Sequence, residues 1–344
     1  MKVTFALLCV LTVFTVSQAT LFSSMSMKYS EEKMNEKMLT TSEAPLLYMV
    51  NNSRVVPGFN QLLEVDLQNK KYRVVTDKLN GMSDSVSGSA LCGDNFFAVI
   101  TDVPISFGLA KVNVRTGAVE YLDCKDYLFH KIVCDPTDNN TFIGAASQFT
   151  TPPTFTIQRY DSKTQTAKAV GTWPSGLTWP GWDSIFSFDF KNNVVLAAFA
   201  TLEAGVPKGA KLYEMDLKSG SVSGPKPFDV SKAVQSIIAS GTDQFIGTVI
   251  DADLDQVSLC KFDKSGSSVS NSECKSAQGL HTDGLPYPVC NGKLYSLTQP
   301  IQAPGTTCGL YSTDIEGFTV DKLIEIDGFI PYGYVGAMAC KGGF

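Results

Sequence analysis

One short phrase recurs six times along the chain, and its spacing constrains the fold more than any other feature. An apolar residue is followed four positions later by Asp or Asn in LLEVD (62–66), LAKVN (109–113), IQRYD (157–161), LYEMD (212–216), LCKFD (259–263) and LYSTD (310–314). From one Asp or Asn to the next, the intervals are 47, 48, 55, 47 and 51 residues. This is the length of a four-stranded propeller blade, and it is too long for most helical repeats.

The residues between these phrases also indicate β-structure. From Pro45 onward, short runs of β-branched and aromatic residues are interrupted by Gly, Asn, Asp or Pro, which is typical of many short antiparallel strands. In the fifth repeat, four strands are predicted at residues 235–239, 244–250, 258–263 and 267–271. The Asp or Asn of each phrase is placed at the start of a hairpin turn, where its side chain can accept hydrogen bonds from the turn backbone.

The two ends of the repeat region are complementary. The first repeat supplies only three strands, at Leu46–Val50, Leu62–Asp66 and Tyr72–Thr76, while Val335–Cys340 is a spare strand at the other end. Pairing the spare strand with the first repeat would close the ring and remove exposed strand edges. The sequence therefore predicts an all-β fold, a six-bladed β-propeller over residues 45–344 with one-plus-three strand closure of the termini. A pair of β-sandwiches is the alternative, but it does not predict the matched ends.

The region ahead of the repeats is typical of a secreted protein. Residues 1–19 combine Lys2, an apolar run and small residues at Ser17 and Ala19, which predicts a secretory signal peptide. Residues 20–44 are rich in Ser, Met, Lys and Glu and predict a flexible leader. The expected location is outside the cell or in the lumen of the endolysosomal pathway. No later apolar run is long enough to cross a bilayer, so we expect no transmembrane segment.

The charge of the chain argues against a nucleic-acid partner. The formal net charge of −6 becomes −7 when Lys2 leaves with the signal peptide, and no block of Lys or Arg occurs. Nucleic acids and anionic membranes are usually bound through such blocks, so we expect neither as a partner. We expect the propeller to be a monomer.

Eight cysteines remain once the signal peptide, which contains Cys9, is removed. An even number of cysteines in a secreted chain predicts disulfides. Two pairs are candidates: Cys260 with Cys274, which flank a predicted hairpin turn, and Cys124 with Cys134, which close a short loop between blades. No cysteine or histidine spacing typical of a zinc site occurs.

Two Asn residues are candidates for N-glycosylation. Asn51 and Asn139 each begin an Asn-x-Ser/Thr sequence. These sequences fit a secreted glycoprotein in which both segments lie on surface turns.

The construction of the repeats resembles that of six-bladed propellers of the broad TolB-like, senescence-marker and strictosidine-synthase-like class. The phrases LYEMDLKSGSV (212–222) and LAKVNVRTGAV (109–119) carry the resemblance, which covers residues 45–344. Because the class includes lactonases, phosphotriesterases, lyases, sugar-binding proteins and scaffolds, the resemblance implies the fold and not the function. Its calcium-dependent hydrolases use a Glu, Asn and Asp set around the channel, so Ca²⁺ is a candidate cofactor. Their motif has no residue-by-residue match in this sequence.

Titratable residues fall where a propeller places its channel mouth, in the loops that lead into the innermost strands. The candidates are two histidines and three carboxylates: Asp84, His130, Asp183, His281 and Asp283. Such groups can bind a cation or transfer protons. A structural role is the alternative, because an Asp ahead of a strand often caps a turn and opposed blades can hold two imidazoles too far apart for one metal ion.

Aromatic residues form a second set of candidates. All three tryptophans fall within residues 173–182, between the third and fourth repeats. Rigid aromatic faces can stack on sugar rings or take a partner's side chain. The ligand-stacking candidates are Trp179, Trp182, Tyr332 and Tyr334. Filling the seam between two blades is the alternative role of the tryptophans.

Two functions from different classes are compatible with these residues. The first is a secreted β-propeller binding module that recognises a carbohydrate or an extracellular protein on its loop face. The second is a calcium- or metal-assisted hydrolase, lactonase- or esterase-like, with its site at the channel mouth. An inert component of a matrix or coat is a third possibility. GxSxG and HExxH are absent from the sequence, so we favour a role other than catalysis.

Overall fold

The computed structural model describes most of the predicted repeat region. The described residues are 46–53, 60–79, 82–83, 88–102, 106–124, 126–148, 150, 154–177, 185–203, 206–228, 233–240, 243–251, 256–276, 288–298, 308–326 and 333–341. They form 25 β-strands in six sheets. These same residues contain no helix that is long and apolar enough to cross a membrane. The predicted signal peptide and leader, residues 1–44, lie outside the described residues.

Each sheet is one blade of a six-bladed β-propeller, and the strands of a blade follow one another from the channel outward. Blade 1 contains β25 (Gly333–Cys340), β1 (Leu46–Ser53), β2 (Asn60–Asp66) and β3 (Lys71–Leu79). Blade 2 contains β4 (Met82–Ser83) and β5 (Ser89–Cys92), which both pair with β6 (Asn95–Asp102), then β7 (Ser106–Asn113) and β8 (Val119–Asp123). Blade 3 contains β9 (Leu128–Asp135), β10 (Asp138–Gln148), β11 (Thr154–Asp161) and β12 (Thr166–Thr172).

The other three blades repeat this order. Blade 4 contains β13 (Phe186–Asp189), β14 (Val194–Glu203), β15 (Val206–Asp216) and β16 (Val222–Pro227). Blade 5 contains β17 (Ala233–Ala239), β18 (Gln244–Asp251), β19 (Gln256–Asp263) and β20 (Ser270–Ser276). Blade 6 contains β21 (Val289–Cys290), β22 (Lys293–Thr298), β23 (Cys308–Asp314) and β24 (Val320–Ile326).

The ring closes as the sequence predicts. β25 pairs antiparallel with β1, with Met338 opposite Met49. At the end of the same ladder, the backbone N–H of Lys341 donates a hydrogen bond of 3.0 Å to the carbonyl of Leu46. The last strand of the chain is therefore the inner strand of the first blade, and the one-plus-three closure is confirmed.

Six clusters of buried apolar side chains hold the ring together, one in each seam between neighbouring blades. The first residue of each recurring phrase is at most 1% exposed, and each lies in a different cluster: Leu62, Leu109, Ile157, Leu212, Leu259 and Leu310. Burial of such a side chain contributes about 1.5–3 kcal/mol. The phrase therefore recurs once per blade because each seam between blades needs one such buried side chain.

The last residue of each phrase caps a hairpin turn, as predicted. In blade 4, for example, Oδ1 of Asp216 accepts hydrogen bonds from the backbone N–H groups of Lys218 and Ser219 at 3.0 and 2.6 Å. The other five members accept equivalent bonds: Asp66, Asn113, Asp161, Asp263 and Asp314. These caps satisfy turn backbone groups that the ladder leaves unpaired.

Three cysteine pairs lie at disulfide distance. Cys260 and Cys274 face each other on β19 and β20 with Cα atoms 4.1 Å apart, so this predicted pair is confirmed. The predicted pair of Cys124 with Cys134 is wrong, because Cys134 pairs with Cys92 of the neighbouring blade. Cys124 remains a buried thiol, and burial raises its pKa to about 12.

The two predicted glycosylation positions differ in accessibility. Asn51 lies within β1, pairs with both neighbouring strands and is only 5% exposed, so the expected surface turn is wrong for this residue. Asn139 is exposed next to the β9–β10 turn. A glycan is too large for the site at Asn51, whereas Asn139 has room for one.

Candidate functional site at the central channel

The two ends of the channel are built differently. On one side, the hairpins that join the first strand to the second and the third strand to the fourth are two to six residues long. On the other side, the connections include 173–185 between β12 and β13, 277–288 between β20 and β21, and 299–307 between β22 and β23. We call the first side the turn face and the second side the loop face. Functional residues in proteins concentrate on loops that a rigid scaffold holds.

Most predicted site residues belong to loop-face connections that lie outside the described residues. This applies to Asp84, Asp183, His281, Asp283, Trp179, Trp182 and Tyr332. Tyr334 lies in β25, but its side chain is not among those that the structure describes. These residues therefore remain predictions, and the structure neither brings them together nor separates them.

His130 is the one titratable candidate that the structure describes. It lies within β9 and not in the loop ahead of it, and it is 5% exposed. Its Nε2 atom is 2.8 Å from Oγ of Ser147 on β10, and its ring centroid is 6.3 Å from that of Phe155. Burial holds the pKa of His130 well below its usual range, so the imidazole is neutral at physiological pH. These described contacts fit the structural alternative for His130, and its candidate role at the channel mouth remains a prediction.

Lys131, the next residue, is not among the candidates that the sequence predicts. It lies in the middle of the inner strand β9 and is partly exposed. Burial lowers its pKa to about 8. No sequence signal sets it apart, because the β-bulge at His130, where Ala146 pairs with Phe129 and Ala145 pairs with Lys131, is visible only in the β9–β10 ladder.

Trp173 resolves the role of one of the three tryptophans. It is 3% exposed and packs in the seam between blades 3 and 4, with its ring centroid 5.9 Å from that of Phe199. The seam-filling alternative is therefore right for Trp173. Within the part of the chain that the structure describes, no three His, Cys, Asp or Glu side chains form a group that could hold a metal ion.

The turn face carries two disulfides between inner strands. Cys92 of β5 pairs with Cys134 of β9, and Cys290 of β21 pairs with Cys340 of β25, with Cα separations of 5.3 and 6.3 Å. They join blades 2 and 3 and blades 6 and 1. The signal that could have identified them is positional: four of the six inner strands have a cysteine as their last or second-to-last residue, and these strands belong to consecutive blades of the closed ring.

Comparison with solved structures supports the fold. The structure is similar to that of TolB from Acinetobacter baumannii, with a TM-score of 0.52 and 13% identity, over 86% of this chain and 67% of that chain. A TolB-type protein from Agrobacterium tumefaciens gives 0.51 and 14%, over 86% of this chain and 93% of that chain. The chain has a TolB-like propeller fold.

A third similar structure is the β-propeller domain of the trilobed protease from Pyrococcus furiosus, with a TM-score of 0.47 and 11% identity, over 82% of this chain and 93% of that chain. No protein-family model matches the sequence, and no curated protein matches it either. At these levels of identity, the TolB-like likeness gives the architecture of the blades and leaves the ligand open.

Proposed function

We propose that this chain is a secreted β-propeller that binds a carbohydrate on its loop face. The observation that carries the proposal is the difference between the two faces. The turn face is closed by short capped hairpins and two disulfides between blades, whereas the longest connections all emerge on the loop face. One of these connections contains Trp179 and Trp182, and Tyr332 and Tyr334 lie in or directly after another on the same side.

Aromatic side chains in such connections favour a sugar as the ligand. Tryptophan and tyrosine rings offer flat apolar faces with a polar edge, and they lose little conformational entropy when they bind. Pro174 and Pro180 further restrict the backbone around the two tryptophans. An extracellular protein is the other partner that these side chains suit, and binding to immobilised glycans distinguishes the two.

The cysteine pairs support the extracellular part of the proposal. Disulfides persist in oxidising compartments and are rare in the cytosol. Three pairs at disulfide distance, together with the signal-peptide pattern of residues 1–19, are compatible with secretion.

A glycan array followed by fluorescence titration tests the proposal. A bound sugar should change the emission of the wild-type protein. Trp179→Ala and Trp182→Ala should each weaken binding by tenfold or more, because each removes a stacked ring that contributes on the order of 1–3 kcal/mol. Trp173→Phe is the matched control, since Trp173 is buried in a seam, and it should leave the affinity unchanged.

Absence of glycan binding, or equal affinity in all three variants, would overturn the proposal. Capture of a specific extracellular protein that depends on Trp179 and Trp182 would replace the sugar with a protein partner. A stoichiometric Ca²⁺ ion, detected by mass spectrometry of metals and lost on His281→Ala and Asp183→Ala, would support the hydrolase hypothesis.

A further inference from the structure

Serine and threonine line the seam between blades 5 and 6 at two positions where the other seams have neither. The fourth residue of each recurring phrase faces the preceding blade, and in blade 6 it is Thr313. On β22, Ser296 lies opposite Tyr311 and on the same face as Leu294, which packs against blade 5. The residues equivalent to Thr313 are buried and apolar or aromatic: Val65, Val112, Tyr160, Met215 and Phe262. The residues equivalent to Ser296 are Met49, Ala98, Gly144, Ala197 and Gly247.

The hydroxyl groups of Ser296 and Thr313 are buried without a hydrogen bond. Both residues are 0% exposed, and neither hydroxyl has a hydrogen-bond partner in the part of the chain that the structure describes. A buried hydroxyl without a partner loses its hydration and gains nothing in return, whereas an alanine or valine at the same place has no such cost. The closed seam is therefore less favourable at these two positions than the equivalent seams are.

Blade 5 presents hydroxyl groups to the same seam. Thr248 on β18 lies opposite Leu259, which packs in this seam, and Ser236 on β17 lies opposite Thr248. The two hydroxyl oxygens are 2.6 Å apart, and both residues are at most 2% exposed. Polar groups from both blades thus meet at mid-height of the seam. Such groups add little apolar burial when the seam is closed, and water can solvate them when it is open.

Phe318 lies at the turn-face edge of this seam in a strained backbone conformation. It follows Asp314 by four residues and has a φ of +55°. Gly117 and Gly220 occupy the equivalent position in blades 2 and 4, each with a φ of +70°. The left-handed region is unusual for a bulky aromatic residue, and such strain persists only where surrounding contacts compensate for it.

Two lysines of blade 5 supply these contacts. The ammonium groups of Lys261 and Lys275 lie 5.0 and 5.8 Å from the centroid of the Phe318 ring. Lys261 also donates a hydrogen bond of 2.5 Å to the carbonyl of Glu316, and Lys275 donates one of 3.4 Å to the carbonyl of Gly317. The turn-face edge of the seam is therefore held by cation–π contacts and hydrogen bonds between the two blades.

We propose that the ring opens locally at the seam between blades 5 and 6, with the contacts of Phe318 as the hinge. Opening brings the hydroxyl groups of Ser296 and Thr313 into contact with water, which satisfies them, while the lysine contacts keep the turn-face edge together. Two other seams cannot part in this way without breaking a disulfide, since Cys92–Cys134 joins blades 2 and 3 and Cys290–Cys340 joins blades 6 and 1. The inference goes beyond the carbohydrate proposal and does not depend on it.

Thiol labelling of the folded, full secreted protein tests the opening. Ser296→Cys places a thiol in the seam, and Ala98→Cys places one at the equivalent position between blades 1 and 2. With N-ethylmaleimide and peptide mass mapping, Ser296→Cys should be labelled about tenfold faster or more. Its rate should change little at low urea concentration, because a local opening exposes little surface. The wild type, which contains the buried Cys124 thiol, gives the background.

Two second-site variants in the Ser296→Cys protein test the physical cause. Thr313→Val should slow the labelling, because the closed seam then buries one hydroxyl fewer. Thr166→Val is the matched control, since Thr166 is exposed on β12, and it should leave the rate unchanged. Phe318→Leu should speed the labelling, whereas Phe228→Leu, which changes an equally buried ring in the seam between blades 4 and 5, should not.

Equal labelling rates for Ser296→Cys and Ala98→Cys would overturn the proposal. It is also overturned if the labelling of Ser296→Cys follows global unfolding in its dependence on urea, or if Thr313→Val and Thr166→Val have the same effect. If Ser296→Cys does not fold, Thr313→Cys and Val112→Cys form a second pair at equivalent positions, with the same expected order. A rate that Phe318→Leu leaves unchanged would refute the hinge.

Discussion

Cys290, in the inner strand of the last blade, is paired with Cys340 in the strand that closes the first blade, and their Cα atoms are 6.3 Å apart. The pair joins the two blades between which the ring would open if β25 detached. The contact between the two ends of the repeat array is made by the β25–β1 ladder, and the disulfide fixes the closing strand β25 against blade 6.

Removing this pair should cost more stability than removing the pair within blade 5. Cys290 and Cys340 are separated by 50 residues, whereas Cys260 and Cys274 are separated by 14. In the chain-entropy description, loops of these sizes correspond to about 4 and about 3 kcal/mol. Urea unfolding of the two double Cys→Ala variants measures the difference. Equal midpoints for both variants would show that β25 is held by its ladder alone.

The hairpin caps should make stability depend on pH in the acid range. Hydrogen bonds from the backbone of Ser219 hold the pKa of Asp216 below its usual value, and the same effect occurs at Asp161 and Asp263 through the backbone of Lys163 and Ser265. A depressed pKa in the folded state means that the stabilisation is complete above the unfolded value, near 3.8, and is lost as the pH falls through the folded value.

Asp216→Asn separates the charge of this cap from its hydrogen bonds, because Asn113 already occupies the equivalent position in blade 2. At pH 7 the melting temperature of the Asn variant should be close to that of the wild type. Below about pH 4 it should fall less than that of the wild type. Asp216→Ala should be the less stable variant at pH 7. A wild-type melting temperature that follows the Asn variant throughout the acid range would contradict this role of the carboxylate.

The buried carboxylate of blade 1 should be sensitive to the loss of its partner. Glu64 is 4% exposed, accepts a hydrogen bond of 2.6 Å from Tyr48, and binds Arg73 through bonds of 2.6 and 2.9 Å. Arg73→Met leaves the carboxylate without its counter-charge and should destabilise the fold by about 1–3 kcal/mol, less than a fully buried pair because Arg73 is partly exposed.

Arg115→Met is the control for this effect, because Arg115 pairs with Asp94 at the surface, and its effect should stay below about 0.5 kcal/mol. The double variant Glu64→Leu with Arg73→Met should recover part of the stability that Arg73→Met loses. Chemical unfolding of the four proteins measures these differences. No recovery in the double variant would mean that Arg73 stabilises the blade through packing alone.

Lys131 should make the protein more stable in mild alkali. Its folded pKa is about 8, below the ordinary value of 10.5, so between these values the unfolded chain binds more protons than the folded chain. Stability therefore rises with pH across this window, by on the order of 1–3 kcal/mol. The denaturant midpoint of the wild type should rise relative to that of Lys131→Met as the pH is raised from about 8 to about 10. A constant difference between the two proteins would show that the lysine is not shielded from water.

Glycosylation should occur at Asn139 and not at Asn51. Asn139 is exposed beside a turn, while Asn51 is enclosed between two strands. Intact-mass measurement of protein secreted from a eukaryotic host should show that Asn139→Gln removes a glycan and that Asn51→Gln removes none. A glycan found on Asn51 would require a different position for β1.

The sequence is sufficient for the architecture because the same physical requirement recurs in every blade. Leu259 fills a seam and Asp263 caps a turn in blade 5, and equivalent residues do so in the other five, so the requirement is visible as a period. The closing strand is predictable for a related reason. The first repeat lacks an inner strand, and the strand after the last repeat has no blade of its own, so the two match.

Features that depend on neighbours in space are not predictable in the same way. The pattern predicts the last strand of blade 5 at 267–271, but the strand is found at Ser270–Ser276, because Val269 forms a bridge to Phe228 of the adjacent blade. The partner of Cys134 lies 42 residues away and is identified only when blades 2 and 3 are placed side by side. The bulge at His130 leaves no mark in an alternating pattern, so the sequence alone does not distinguish Lys131 from a residue of an ordinary strand.

The hydrogen bond between Lys341 and Leu46 places the two ends of the folded domain side by side. A short peptide linker could therefore join them, and new termini could be opened in the connection between any two other blades without changing which strands pair. Such circular permutants would move the seam at which the chain begins and ends to a different position in the ring. A fluorescent protein fused at either natural end of the domain would lie near the turn face, away from the proposed carbohydrate surface.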